Sequence, residues 1–279
     1  MALNMDAIGK KIGPISREYT WKDVILYALA VGADSSELEY CYEKNLKVIP
    51  TFSLATTFDF FWHIAKESNI NVAGILHGEQ ELIFHAAIPS EGTLITEGAI
   101  THYYDKGMDK GALVIAECDT FHSNGAKLFT SICNIFARFD GGFGSGKAPK
   151  NVVIFPESEP DFVVDARPSF DQNLLYRLTG DFFKLHVDPE FAENAGFEKP
   201  IMHGACVMGY GCRALIQKLV PGKPEHVRRL ACRFSRPLYP GVPIKTLIWK
   251  TETEKALWRV VNAESGETVL DNGIIEFVE

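Results

Sequence analysis

The chain has 279 residues, 46% of them hydrophobic, with 36 acidic against 28 basic side chains and a formal net charge of −8. That is enough apolar material for one large domain or two of about 140 residues, and the negative charge argues against nonspecific nucleic-acid binding. No apolar run approaches the ~18 residues of a membrane span, and Met1 to Gly13 lacks the apolar stretch of a signal peptide. The six cysteines show neither a CxxC pair nor a zinc-ligand rhythm, so reduced thiols in an intracellular protein, with no resident metal, are expected.

In chain order, helices are predicted near Trp21–Val31 and Phe52–Glu67. Strands follow near Leu76–Ala87, Leu94–Tyr104, Leu113–His122 and Lys127–Asp140, the last two joined by the turn Ser123-Asn-Gly125. Asp140 to Pro149 has the composition of a flexible linker. Within it Gly141 to Lys147 reads G-x-x-x-x-G-K, yet Ala148 has no hydroxyl for magnesium and no helix opens after Pro149. A nucleotide-hydrolysing loop is not expected there, although Lys147 remains a candidate contact for a ligand phosphate. The second half predicts a helix near Asp171–Leu178 and a short one capped by Asp188, begun by Pro189 and ended by Gly196. A long apolar helix follows Gly204, and strands run near Val227–Ser235, Ile244–Thr251, Leu257–Asn262 and Val269–Val278. One long helix against an antiparallel sheet, twice, is an α+β arrangement.

The two halves repeat each other. With Tyr27 placed under Tyr176, an offset of 149, Trp21 falls under Phe170, Leu26 under Leu175 and Leu29 under Leu178. The offset shrinks later in the chain, as expected if insertions collect in loops. A period this long implies two fused copies of one unit rather than a solenoid. The expected boundaries are a first repeat at 1–140, a linker at 141–168 and a second repeat at 169–279. At the same offset Gly32 lies under Asp181 and Glu37 under His186, so a carboxylate–imidazole pair exists in the second copy alone. Two proton carriers five residues apart, kept in one copy, point to one active site. A basic segment, His226 to Arg229 and then Arg233 to Arg236, suggests a small polyanionic ligand on an acidic protein.

Gly180-Asp181-x-x-x-Leu185-His186-x-Asp188-Pro189-x-Phe191-Ala192 resembles the signature of the MaoC-like (R)-specific, type-2 enoyl-CoA hydratases. Tyr27-Ala-Leu-Ala-Val-Gly32, Pro50-Thr-Phe52, Leu76-His-Gly-Glu-Gln80, Ala195 to Gly204 and Arg233 to Gly241 resemble the hydratase module of eukaryotic peroxisomal multifunctional enzymes, in the same order. The resemblance implies a double hot-dog fold whose first half has lost its catalytic residues and makes room for long acyl chains. It implies a hydro-lyase that adds water to trans-2-enoyl-CoA in fatty-acid β-oxidation, giving (3R)-3-hydroxyacyl-CoA. No cofactor is implied beyond the coenzyme A of the substrate, and no nucleic-acid or membrane partner. A homodimer and a peroxisomal setting follow from the family, although Glu276-Phe-Val-Glu279 is not a peroxisomal Ser-Lys-Leu address. One position departs: where the family has Asn-Pro between the catalytic pair, this chain has Phe183 and Lys184. The missing asparagine helps to hold the attacking water in the family, so Phe183→Asn is expected to speed hydration unless Phe183 is packed in apolar surroundings.

Hydration needs a base for water, an acid for the α-carbon and donors for the enolate oxygen. Asp181 and His186 can supply the first two, in an order that the sequence leaves open. The backbone N–H of Gly204, at the start of the long helix, suits the third, and His203 beside it is a second candidate contact. Arg233, then Arg236, are the expected coenzyme A contacts. A noncatalytic acyl-CoA-binding protein and a hot-dog thioesterase are the alternatives.

Overall fold

The computed structural model describes residues 3–146, 148–149 and 152–279. The first half contains β1 (Lys11–Tyr19), α1 (Trp21–Ala30), α2 (Leu38–Cys41), α3 (Phe52–Thr56), α4 (Phe58–Ser68), β2 (Ile75–Phe84), β3 (Gly92–Asp105), β4 (Ala112–His122) and β5 (Lys127–Ala137). The second contains β6 (Phe162–Ala166), α5 (Gln172–Arg177), α6 (Pro189–Asn194), α7 (Gly204–Leu219), β7 (Val227–Phe234), β8 (Ile244–Glu252), β9 (Lys255–Asn262) and β10 (Thr268–Phe277). The strands form one sheet in the order β1-β3-β4-β5-β2-β7-β10-β9-β8-β6. Read from its outer edge inward, each half has the same order, with β1 matching β6 and β2 matching β7. The duplication inferred from side chains is therefore present in the topology.

Helix α7 packs against all five strands of the second half, and α4 packs against β1 and β3. Each half is thus a curved antiparallel sheet wrapped on a helix, as the resemblance implies. The halves meet where β2 pairs with β7, antiparallel, in the register Glu79↔Arg233, Leu82↔Leu230 and Ile83↔Arg229. Leu82 and Leu230 are fully buried at the centre of this seam, each worth roughly 1.5–3 kcal/mol of transfer free energy. On the other face Arg233 pairs with Glu79 and Arg229 with Glu81, both at 2.6 Å. These side chains are about one-third exposed, so each pair contributes on the order of 1 kcal/mol or less and serves chiefly to fix register.

Three local features differ from the sequence expectation. The helix predicted over Phe52–Glu67 is broken at Thr57 into α3 and α4. There the Thr56 and Thr57 hydroxyls donate to the Ser53 carbonyl at 2.8 and 2.9 Å, offering the backbone oxygen a rival partner. The other two are the outer edge strands. β1 carries Pro14 and an alternation of exposed polar residues, which suits an edge. β6 lies inside the stretch expected as linker and pairs with β8.

The position that Gly32 shares with Asp181 is closed in the first half. Gly32 has φ +82°, and a Cβ there would overlap the Tyr210 ring, which comes from α7 of the other half. Glu37, the counterpart of His186, is ion-paired with Arg213, whose Nη1 also donates to the Val31 carbonyl at 2.9 Å. Side chains from the second half thus fill the site that the first half has lost. Gly32→Ala should cost roughly 2–4 kcal/mol in urea denaturation, combining left-handed backbone strain with overpacking. A cost under about 1 kcal/mol would mean that Tyr210 yields freely.

Candidate active site

The loop that carries Asp181 begins at the end of α5. The Thr179 hydroxyl and amide both bond to the Tyr176 carbonyl, at 2.8 and 2.9 Å, closing the last turn. Gly180 then adopts φ +143°, a conformation that L side chains rarely take. Asp181 follows, and its Oδ1 accepts from the Phe183 amide at 3.1 Å. A 3-10 turn over Lys184–His186 brings His186 back toward Asp181. Asn173 anchors that turn, donating to the His186 carbonyl at 2.6 Å. Asp188 caps α6 through the Phe191 amide at 3.2 Å, as its Asp-Pro sequence predicted.

Hydrogen bonds fix both histidine tautomers. His186 Nδ1 lies 2.9 Å from the Ile201 carbonyl; a carbonyl only accepts, so Nδ1 carries the proton and Nε2 keeps its lone pair. His203 Nε2 donates to the Asp181 carbonyl at 3.2 Å and leaves its own Nδ1 buried without a partner among the described residues. The two rings stack at 3.7 Å with 27° between their planes. His203 therefore holds the backbone of Asp181 from one side and the ring of His186 from the other.

Burial moves the two catalytic candidates in opposite directions. Asp181 is surrounded by protein, and loss of water raises its carboxyl to about 7, against a smaller lowering by the Phe183 amide. His186 is buried, and loss of water lowers it to about 4, against a smaller raising by the Ile201 carbonyl. Burial, with His186 close by, also holds His203 well below the usual imidazole range. Burial thus favours a neutral imidazole at His186 and a carboxyl at Asp181 that keeps its proton to higher pH than usual.

Asp181, His186 and Gly204 line a cavity of about 360 Å³. Its far wall comes from the first half, including Phe58, Phe61, Trp62 and His77. His77 bonds to Gln80 Oε1 at 3.1 Å and packs 4.5 Å from the Phe234 ring. Gly204 is the first residue of α7, and no acceptor pairs with its N–H among the described residues. A Cβ there would come within 2.6 Å of the Phe234 ring. Donor atoms of Asp181, His186 and His203 all lie within 4.8 Å of one another, a spacing that a metal ion could use. The two rings are stacked, and each gives one nitrogen to a backbone carbonyl, His186 to Ile201 and His203 to Asp181.

The basic segment is largely paired. Arg233, the leading candidate from the sequence for a coenzyme A contact, bonds to Glu79 across the seam and is 40% exposed. The pairing arises because β7 places Arg233 directly opposite Glu79 of β2 and Arg229 on the diagonal from Glu81. Arg236 lines the cavity and is 59% exposed, with Glu267 3.3 Å away, and is better placed for a phosphate. Lys147 lies outside the described residues.

Phe183 is packed rather than open. Its ring meets Trp62 at 5.7 Å, Phe191 at 5.3 Å and His186 at 6.2 Å, all edge-on. This is the apolar packing under which asparagine was not expected to help. Phe183→Asn should lower stability by about 1–3 kcal/mol, as an amide enters an aromatic cluster, and should not speed turnover; a faster enzyme of unchanged melting temperature would contradict the packing account. Asp181 yields a second test. An unfolded aspartate ionises near pH 4 and the folded one near 7, so the folded state loses stability as pH rises through that window. The melting-temperature advantage of Asp181→Asn over wild type should widen from pH 4 to pH 7, and a constant difference would mean an ordinary carboxylate.

Residues 18–139 match the family described as MFE-2 hydratase 2 N-terminal domain, and residues 152–272 match the MaoC like domain. The 3-hydroxyacyl-thioester dehydratase Y of Mycobacterium tuberculosis is 35% identical over 291 aligned positions, covering 100% of this chain and 99% of that one. A probable enoyl-CoA hydratase 2 of Dictyostelium discoideum is 36% identical over 277, covering 96% and 94%. The crystal structure of a MaoC-like dehydratase from Phytophthora capsici superposes with a TM-score of 0.88 at 29% identity, covering 99% and 98%. The fold is the double hot-dog. With relatives this similar along their whole length, the chain belongs to the MaoC-like hydratase 2 family.

Proposed function

We propose that this protein is a hydro-lyase that adds water to trans-2-enoyl-CoA, giving (3R)-3-hydroxyacyl-CoA in fatty-acid β-oxidation. The observation that carries the reading is the opposite displacement of Asp181 and His186 at an apolar cavity. A carboxylate oxygen and a ring nitrogen of the pair lie within 4.8 Å, a span one water can bridge with two hydrogen bonds of about 2.8 Å. His186 Nε2 takes a proton from that water as its oxygen bonds to the β-carbon. The double-bond electrons move to the thioester oxygen, where the Gly204 N–H stabilises the developing enolate. Asp181 gives its proton to the α-carbon, and the proton on His186 then returns to Asp181. The hydroxyl and the α-proton are delivered from the same side, to one face of the double bond, and the second proton of the water resets Asp181 for the next turnover.

In this reading Arg236, Lys147 and Arg233 are ranked in that order for the coenzyme A phosphates. His203 holds the loop, and Phe183 forms part of the acyl wall. The first repeat, 1–140, supplies the rest of that wall, and the catalytic repeat takes in β6. No group beyond the substrate's coenzyme A takes part. A homodimer in a peroxisomal setting completes the reading, and no described helix is long and apolar enough to cross a membrane.

Incubation with trans-2-enoyl-CoA tests this. Loss of the conjugated-thioester absorbance with free thiol unchanged is expected; thiol release would mean a thioesterase, and binding alone a noncatalytic protein. Asp181→Asn and His186→Gln should each cost about 10²–10⁴-fold. The residual rate of His186→Gln should fall as pH rises through about 7, because the Asp181 proton is being lost. A residual rate that rises instead would make Asp181 the base.

A further inference from the structure

Arg17 sits on edge strand β1 of the first half, and no sequence motif singles it out. Its side chain is 25% exposed. Nη1 donates to the Ala55 carbonyl at 2.9 Å and Nη2 to the Thr179 carbonyl at 3.0 Å. Ala55 is in the last turn of α3, a short helix of the first half. Thr179 is just past the end of α5 and two residues before Asp181. Both carbonyls belong to helix ends, where backbone oxygens lack an in-helix donor and carry partial negative charge. One planar guanidinium, with donors in a fixed fork, satisfies an orphan oxygen from each half.

We propose that Arg17 is a positioning residue for this reaction, a fork that holds the Asp181 loop in register with the acyl wall. The inference rests on the hydratase reading above. Ala55 and Thr179 both line the cavity, so the fork fixes the acyl wall relative to the acid. Gly180 presses against it: a Cβ at Gly180 would lie 3.0 Å from the Ala55 oxygen and 3.2 Å from Arg17 Nη1. Asp181 is thereby tethered on two flanks. His203 holds its carbonyl from within the second half, and Arg17 holds the preceding backbone from the first. Asp59 lies 4.0 Å from the guanidinium and is largely exposed, so it does not draw the fork away. Small displacements of a catalytic group cost rate rather than binding, so the effect belongs in kcat.

The test is Arg17→Met and Arg17→Lys in the full chain, assayed for hydration of a trans-2-enoyl-CoA. Arg17→Met removes both donors and should lower kcat about tenfold, which is ~1.4 kcal/mol of barrier, with KM within about twofold. Arg17→Lys keeps the charge without the fork and should fall between the two, at about threefold below wild type. Loosening the loop admits water to Asp181, so the alkaline limb of the rate profile should move to lower pH in Arg17→Met. A purely structural arginine would lower the melting temperature and leave kcat and this limb of the folded enzyme unchanged. Wild-type kcat and an unmoved limb in folded Arg17→Met would overturn the proposal. If that variant does not fold, Arg17→Lys decides, and wild-type kcat with an unmoved limb there overturns it equally. An inactive wild type would instead sink the hydratase reading itself.

Discussion

The pairing of β2 with β7 joins two five-stranded sheets into one surface, and the cavity between the halves depends on it. Leu82 opposite Leu230 makes the centre of that pairing dry. The Glu79–Arg233 and Glu81–Arg229 pairs penalise a slipped register, because a shift by one residue would bring each arginine off its carboxylate. Held in this way, α4 and the start of β2 in the first half face the Asp181–His186 loop of the second. The cavity is a product of the seam: one half brings the proton carriers and the other brings aromatic wall. Neither repeat alone would enclose it.

Duplication normally gives two equivalent sites, and packing explains why one survives. Tyr210 and Arg213 lie on α7, the helix whose first residue offers the Gly204 amide. Further along, that helix sends the Tyr210 ring into the space beside Gly32 and pairs Arg213 with Glu37. The segment that builds the live site therefore also plugs the lost one. Burial of Arg213, which lowers its guanidinium to about 10, shows how far that plug is drawn from water. A carboxylate at position 32 would now meet a tyrosine ring and no cavity.

Much of this was legible in the sequence for physical reasons that can be named. Apolar runs marked α1 and α7, and the turn Ser123-Asn-Gly125 marked the hairpin of the first half. The repeat exposed the dyad, because a carboxylate and an imidazole replaced a glycine and a glutamate at matched positions. Edge strands β1 and β6 were not legible: β1 is interrupted by Gly13-Pro14, and β6 is five residues long in a stretch whose surroundings read as linker. The break at Thr57 depends on hydroxyl bonds to Ser53 that propensity does not register. The Glu79 partner of Arg233 was not legible either, since a basic run says nothing about which carboxylates the sheet places opposite it. Arg17 was invisible for a similar reason. Its partners are two backbone oxygens, at separations of 38 and 162 residues, and carbonyls leave no mark in a sequence.

Phe183 ties the departure from the family pattern to the electrostatics of the pair. An asparagine between Asp181 and His186 would bring a polar amide and its hydration to the loop. The phenylalanine instead packs with Trp62 and Phe191 and closes that side. Removing water from around a carboxyl disfavours its charged form, and removing water from an imidazole disfavours its charged form too. A drier loop therefore pushes Asp181 up and His186 down at once, which is the separation that acid and base roles require. The hold on water that an asparagine amide would provide is exchanged for a better-poised pair. Under the proposed mechanism the departure alters how the site balances water binding against proton transfer.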